Sequence, residues 1–138
     1  IQLGVCQILL RVFISGRDFF MDKLTQAVLR KFSLDLRKKY PVIQNLSLLI
    51  QDCPATNVRY IELMFIKIKK SQQHRGYGSI VLSAIVGLAD SNNTQVRLTP
   101  AAMYGTDIQA LYGFYLKNGF SFYDDKTMIY YPKKQIIL

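Results

Sequence analysis

Apolar and polar positions alternate and recur along this chain in a way that divides it into short strands and helices. Val5–Ile14 is rich in β-branched and aromatic residues and reads as a first strand. From Asp22, a candidate N-cap, Leu24, Val28, Phe32 and Leu36 recur at helical spacing with Leu29 beside them. Arg37, Lys38 and Lys39 fill the last turn, where cations meet the negative end of the helix dipole, and Pro41 stops the helix. Leu46–Gln51 and Tyr60–Lys69 read as antiparallel strands joined by the turn formers of Asp52–Val58. A loop with two glycines, Gln72–Ser79, leads into Ile80–Asp90, a helix with so little polar face that it must lie against a sheet, ended by Asn92 and Asn93. Gln95–Thr99 is a short strand before Pro100, and Asp107–Asn118 is a helix that Gly119 closes. Phe120–Tyr123 and Met128–Tyr131 form a hairpin around Asp124–Thr127, in which Asp124 and Asp125 are turn residues rather than metal ligands. This order predicts an α/β (α+β) fold with helices on a central sheet, in a single domain over 1–138. Residues 1–20 are either its first strand or an extension ahead of Met21.

Composition narrows the class. Of 138 residues, half are hydrophobic and a fifth charged, enough to bury a core and too apolar for a disordered chain. The longest apolar stretches, Leu3–Ile14 and Ile80–Ala89, fall short of a membrane span. Ile1–Phe20 lacks a basic leader and a small-residue cleavage site, so no signal peptide is read there. Cys6 and Cys53 stand far apart, without a CxxC pair and with one histidine in the chain. That supports neither a disulfide framework nor a structural zinc, and points to free thiols in the cytoplasm with no metal. Eighteen Lys and Arg against nine Asp and Glu give +9, which favours an anionic partner: a phosphorylated cofactor, a nucleic acid or an acidic surface.

The candidate phosphate site is Gln73-His74-Arg75-Gly76-Tyr77-Gly78-Ser79. Two glycines let the backbone turn and aim successive amides at one spot, where the following helix adds its positive dipole. Arg75, Lys69 and Lys70 stand ready for charge-assisted bonds. The loop lacks the Gly-Lys-Ser/Thr ending of a P-loop, and no carboxylate follows where a dinucleotide site holds its ribose. The lone His74 has no orienting partner in the sequence and is not a base.

The pattern Gln/Arg-x-x-Gly-x-Gly/Ala, filled by Gln73, Gly76 and Gly78, resembles the GNAT superfamily of N-acetyltransferases. Downstream, Phe114-Tyr115-Leu116-Lys117-Asn118-Gly119-Phe120 is similar to that family's second motif. The two motifs cover the stretch from Arg59 to Phe120. The resemblance implies a mixed, mostly antiparallel central sheet flanked by helices and splayed at the acetyl-CoA site. It implies acetyl-CoA as acyl-donor cosubstrate, bound by Ile66, Ile68 and the loop residues Gln73, His74, Arg75, Gly76, Tyr77, Gly78 and Ser79. Where many family members place an Asn ahead of the tyrosine, this chain has Ile108.

Two side chains carry the expected chemistry. Glu62 interrupts the apolar run Ile61–Ile66, which reads as a strand covered on both faces, and a desolvated carboxylate is a stronger base than a solvated one. A structural pairing with Arg59 is the plain alternative. The strand from Glu62 to Ile68 measures about 20 Å at 3.3 Å per residue, comparable with the reach of a pantetheine arm. The histone acetyltransferase branch keeps a glutamate base at the same separation from the loop motif as Glu62 from Gln73. Tyr115 falls on the inward face of its helix with Ile108, Leu111 and Tyr112, so it reads either as a packed aromatic or, as the resemblance implies, as the donor of a proton to the departing thiolate. The expected function is N-acetyl transfer to a primary amine by direct attack, with the oxyanion held by a backbone amide of Phe65–Lys67. The acceptor stays open. The positive surface is unsuited to a lysine-rich tail and suits aminoacyl-tRNA, as in the family's toxin members. The other class is a binding module, for acyl-CoA without turnover or for nucleic acid, although no known nucleic-acid motif is present. A homodimer through Met128–Tyr131 and Ile136–Leu138 is a further expectation, and a membrane partner is not.

Overall fold

The computed structural model describes residues 24–101 and 107–133; the expected strand Val5–Ile14, the expected N-cap Asp22 and the segment Ile136–Leu138 lie outside them. Helix α1 (Gln26–Lys39) is capped by Thr25, whose hydroxyl accepts from the Val28 N–H at 3.2 Å, so the helix begins later than Asp22. Leu24 and Leu29 flank this cap at the two positions that staple a helix entry, and both are buried. The buried stripe is Leu29 and Leu36 with Phe32 beside them, while Val28, one step around the helix, faces solvent. Strand β1 (Ile43–Cys53) runs antiparallel to β2 (Val58–Ile68), each longer than its apolar run because the strands pair through the polar positions at their ends.

A one-turn 3₁₀ helix (Lys70–Gln72) leads from β2 to α2 (Tyr77–Ser91). Then follow β3 (Gln95–Leu98), α3 (Ile108–Lys117), β4 (Ser121–Phe122) and β5 (Met128–Tyr130). The sheet has the order β1-β2-β3-β5-β4, with β2 and β3 parallel and every other pair antiparallel. Its core joins Ile61, Leu63, Val96, Leu98 and Met128 of the strands to Val81, Leu82, Ile85 and Ala89 of α2. Each such large aliphatic contributes about 1.5–3 kcal/mol by leaving water. This is the mixed, mostly antiparallel, helix-flanked sheet anticipated above.

Two features of the sheet shape the site. The parallel pair is short, Tyr60↔Gln95 to Glu62↔Arg97, after which β2 continues through Leu63–Ile68 in register with β1 and no longer with β3. The sheet therefore splays just past Glu62. At the same place the register with β1 slips between Ser47↔Phe65 and Leu48↔Leu63, which leaves Met64 as an extra residue with no partner: a β-bulge. The bulge turns Met64 outward, half exposed, and reverses which residues face the core beyond it. Both α2 and α3 end by the same device. Asn93 (φ 48°) and Gly119 (φ 96°) take left-handed conformations that let the following N–H groups fold back onto Ala89 and Tyr115 carbonyls. No described helix is long and apolar enough to cross a membrane. Strand β5 lies between β3 and β4, so Met128–Tyr130 offers no free edge for a dimer; among the described residues the sheet's outer strands are β1 and β4.

Candidate active site

Tyr115 stands on one side of the splay. The cleft there, about 140 Å³, is lined by Leu63–Lys67 of β2, the segment Leu98–Ala101, Leu111 and Tyr115. The Tyr115 ring is held edge-on by Phe114 (centroids 5.1 Å apart) and Phe120 (5.6 Å). The second contact follows from the helix ending, because closing the turn at Gly119 returns Phe120 over Tyr115. No described side chain hydrogen-bonds the Tyr115 hydroxyl. Burial pushes its pKa above the usual tyrosine value, so the group stays protonated and able to donate.

Glu62 stands on the other side. With Tyr60 and Arg97 it lines a second, open cavity of about 190 Å³, to which Leu98, Thr99, Tyr123 and Thr127 also contribute. Leu98 and Thr99 line both cavities, so the one that holds the carboxylate adjoins the one that holds the phenol. The strand is not covered on both faces as its apolar run suggests. Ile61 and Leu63 are buried in the core, whereas Glu62 is half-buried on a face shared with polar residues. Gln51 Nε2 donates to Glu62 Oε1 at 3.0 Å, and Arg59 binds Asp52 instead, with Nε to Oδ1 at 3.0 Å. Glu62 is thus the acceptor of a neutral amide rather than half of an ion pair with Arg59.

The glycine loop lies at the far end of β2. Gln73 Nε2 donates to the Ile68 carbonyl at 3.1 Å, fastening the loop to the strand end, while Ile68 itself packs in the core. Ile66 lines the cleft. Helix α2 begins at Tyr77, three residues earlier than the apolar pattern marks, so Tyr77, Gly78 and Ser79 belong to its first turn. Gly76 is the N-cap at φ 85°, has no side chain to cap with, and is followed by no acidic residue in the first turn. The leading amides of α2 thus lack a side-chain acceptor, the arrangement that receives an anion. His74 also takes a positive φ of 65°, which no sequence signal announced; with Gly76 it curls the loop toward the helix end. Arg75, Lys69 and Lys70 are exposed around it.

Gly78 serves packing rather than turning. A Cβ there would meet Phe114 Cζ at 3.2 Å, so its absence lets α2 lie close against α3 beside Tyr115. Arg97 and Gln51 were not singled out by sequence reasoning, because their place depends on strand register across the sheet; only a polar residue within an apolar strand could have marked Arg97.

No family model matches the chain, and no curated protein matches it in sequence. Solved structures do resemble its backbone. The Bacillus subtilis N-acetyltransferase YlbP in complex with coenzyme A is 18% identical, over 80% of this chain and 93% of that one, with a TM-score of 0.48. Ard1 from Thermoplasma volcanium is 20% identical over 80% of this chain and 82% of that one, TM-score 0.48. The AtaT mutant toxin bound to the C-terminus of the antitoxin AtaR and acetyl-CoA is 14% identical over 62% of this chain, TM-score 0.46. The match covers 55% of that toxin, about half its length.

Proposed function

We propose that this protein transfers an acetyl group from acetyl-CoA to a primary amine by direct attack. The observation that carries this reading is the splay past Glu62, where β2 parts from β3, with a carboxylate lining one of two adjoining cavities and a protonated phenol lining the other. The uncapped amides of α2 fit a pyrophosphate, and the exposed cations around the loop fit its charge. Ile66 lines the path between loop and mouth, and the Ile68 carbonyl with Gln73 fixes its far end. When bound, acetyl-CoA supplies an acyl group activated as a thioester.

Glu62 removes a proton from the acceptor ammonium, and Gln51 holds the carboxylate oxygen in place. Beside the bulge at Met64, a backbone amide of Phe65–Lys67 holds the acyl oxygen within the Leu63–Lys67 wall. Tyr115 gives its proton to the departing sulfur. Positioning of the reactants between two walls provides the rest of the rate.

Glu62→Gln is expected to lower kcat about 100-fold, the lower range for loss of a general base, while acetyl-CoA still raises the melting temperature. A rate equal to wild type would remove Glu62 as the base. Saturating acetyl-CoA, at about 100 times its Kd, should add about 2.7 kcal/mol to stability. Absence of any shift would overturn the reading and direct attention to nucleic acid, whose binding would weaken steeply with salt.

A further inference from the structure

We propose that the cavity between Tyr60, Glu62, Arg97 and Tyr123 is the acceptor subsite and selects a small amine that carries a carboxylate beside the nitrogen, with Arg97 holding the carboxylate. The identity of Glu62 as the amine's base rests on the acetyltransferase reading; the anion site stands on Arg97 alone. Arg97 is half-buried, and its guanidinium is fixed on several sides. Nε and Nη2 donate to Gln95 Oε1 at 3.1 and 3.0 Å, and the Tyr60 and Tyr123 rings lie 4.3 and 5.8 Å from Cζ. Among the described residues Nη1 has no acceptor and no carboxylate forms an ion pair with the group, so a preorganised cation is left with donor capacity.

Glu62 is its register partner on the adjacent parallel strand, with backbones about 4.8 Å apart, and both side chains line the same cavity. One fixed anion and one fixed cation side by side are the complement of an ammonium and a carboxylate on neighbouring atoms. At about 190 Å³ the cavity holds a small molecule and not a folded partner. The same guanidinium opposes polyamines, which bring a second positive charge where the carboxylate would sit.

Calorimetric titration of the whole protein with matched probes tests this: L-leucine against isoamylamine, L-phenylalanine against phenethylamine, and spermidine. The carboxylate member of each pair is expected to bind at least 10-fold tighter, with spermidine weakest. Arg97→Gln should abolish the preference and Arg97→Lys, which keeps the charge without the planar fork, should retain part of it. The Lys variant keeps the test decisive if the Gln variant does not fold. Equal binding within pairs, no binding by any probe, tighter binding of spermidine, or a preference that survives Arg97→Gln would each overturn the subsite. Melting with acetyl-CoA is measured alongside: a shift without carboxylate preference overturns the subsite alone, and a preference without a shift overturns the acetyltransferase reading alone.

Discussion

Gly119 shows how much one residue decides here. Its φ of 96° is a conformation that costs an L-residue roughly 1–2 kcal/mol, and a Cβ would also meet Tyr130 Cε1 at 3.2 Å. Gly119→Ala should therefore lose about 2 kcal/mol of stability in a denaturant titration, and lower kcat as well, because the turn at Gly119 sets Phe120 against Tyr115. The glycine was readable as a helix stop; its second task, setting Phe120 against the Tyr115 ring through the returning chain, was not. Cys53 was read only as a free thiol. In the turn between β1 and β2 the Thr56 hydroxyl, then the backbone amides of Thr56 and Ala55, stabilise its thiolate and bring its pKa down to about 7. Alkylation by iodoacetamide should be half-maximal near pH 7, and Thr56→Val should move that midpoint upward; a midpoint unmoved by the substitution would remove the hydroxyl as the cause.

At the scale of elements, β1, eleven residues long, is an outer strand of the sheet among the described residues, the kind of edge that recruits other strands. Gln26 of α1 covers part of it: its Nε2 donates to the Leu48 carbonyl at 3.0 Å, and the Ile50 N–H donates to its Oε1 at 2.8 Å. The side-chain amide thus imitates a neighbouring strand and ties α1 to β1. Gln26→Ala should cost about 1–3 kcal/mol for two lost bonds, read as a lower urea midpoint at unchanged slope. An unaltered midpoint would mean that water replaces the amide without loss. The helices and strands themselves were legible in their apolar spacing, since each must bury one face. Their ends were less so: α1 starts at a threonine cap rather than at Asp22, and α2 starts inside the glycine motif, because caps are chosen by local backbone bonds that hydrophobic spacing does not encode. The bulge at Met64 left no mark either, as an extra residue in an apolar run looks like any other.

Across the whole molecule, the end of α2 is tied to the last strand. The Tyr130 hydroxyl donates to Asp90 Oδ1 at 2.9 Å, and the Lys133 N–H donates to the same oxygen at 2.9 Å. Burial, then the hydrogen bond and charge of Asp90, push the Tyr130 pKa up from 10.0 to about 12. The folded protein holds this proton more tightly than the unfolded chain does. The stability linked to Tyr130 is therefore fully present below about pH 10 and is lost as pH rises through about 12. Thermal melts between pH 9 and pH 12 should show that decline, and Tyr130→Phe should flatten it; an equally steep decline in the variant would assign the loss to other groups. By itself the sequence determined the order and type of the described elements and the glycine loop, and offered Glu62 and Tyr115 as candidates, since all of these are written in local spacing and residue chemistry. Only the tertiary structure decided that the parallel pair ends at Glu62, that the two side chains line adjoining cavities, and that Arg97 stands beside Glu62. Those are matters of register between strands distant in the chain, and register is settled by which faces pack together in the core.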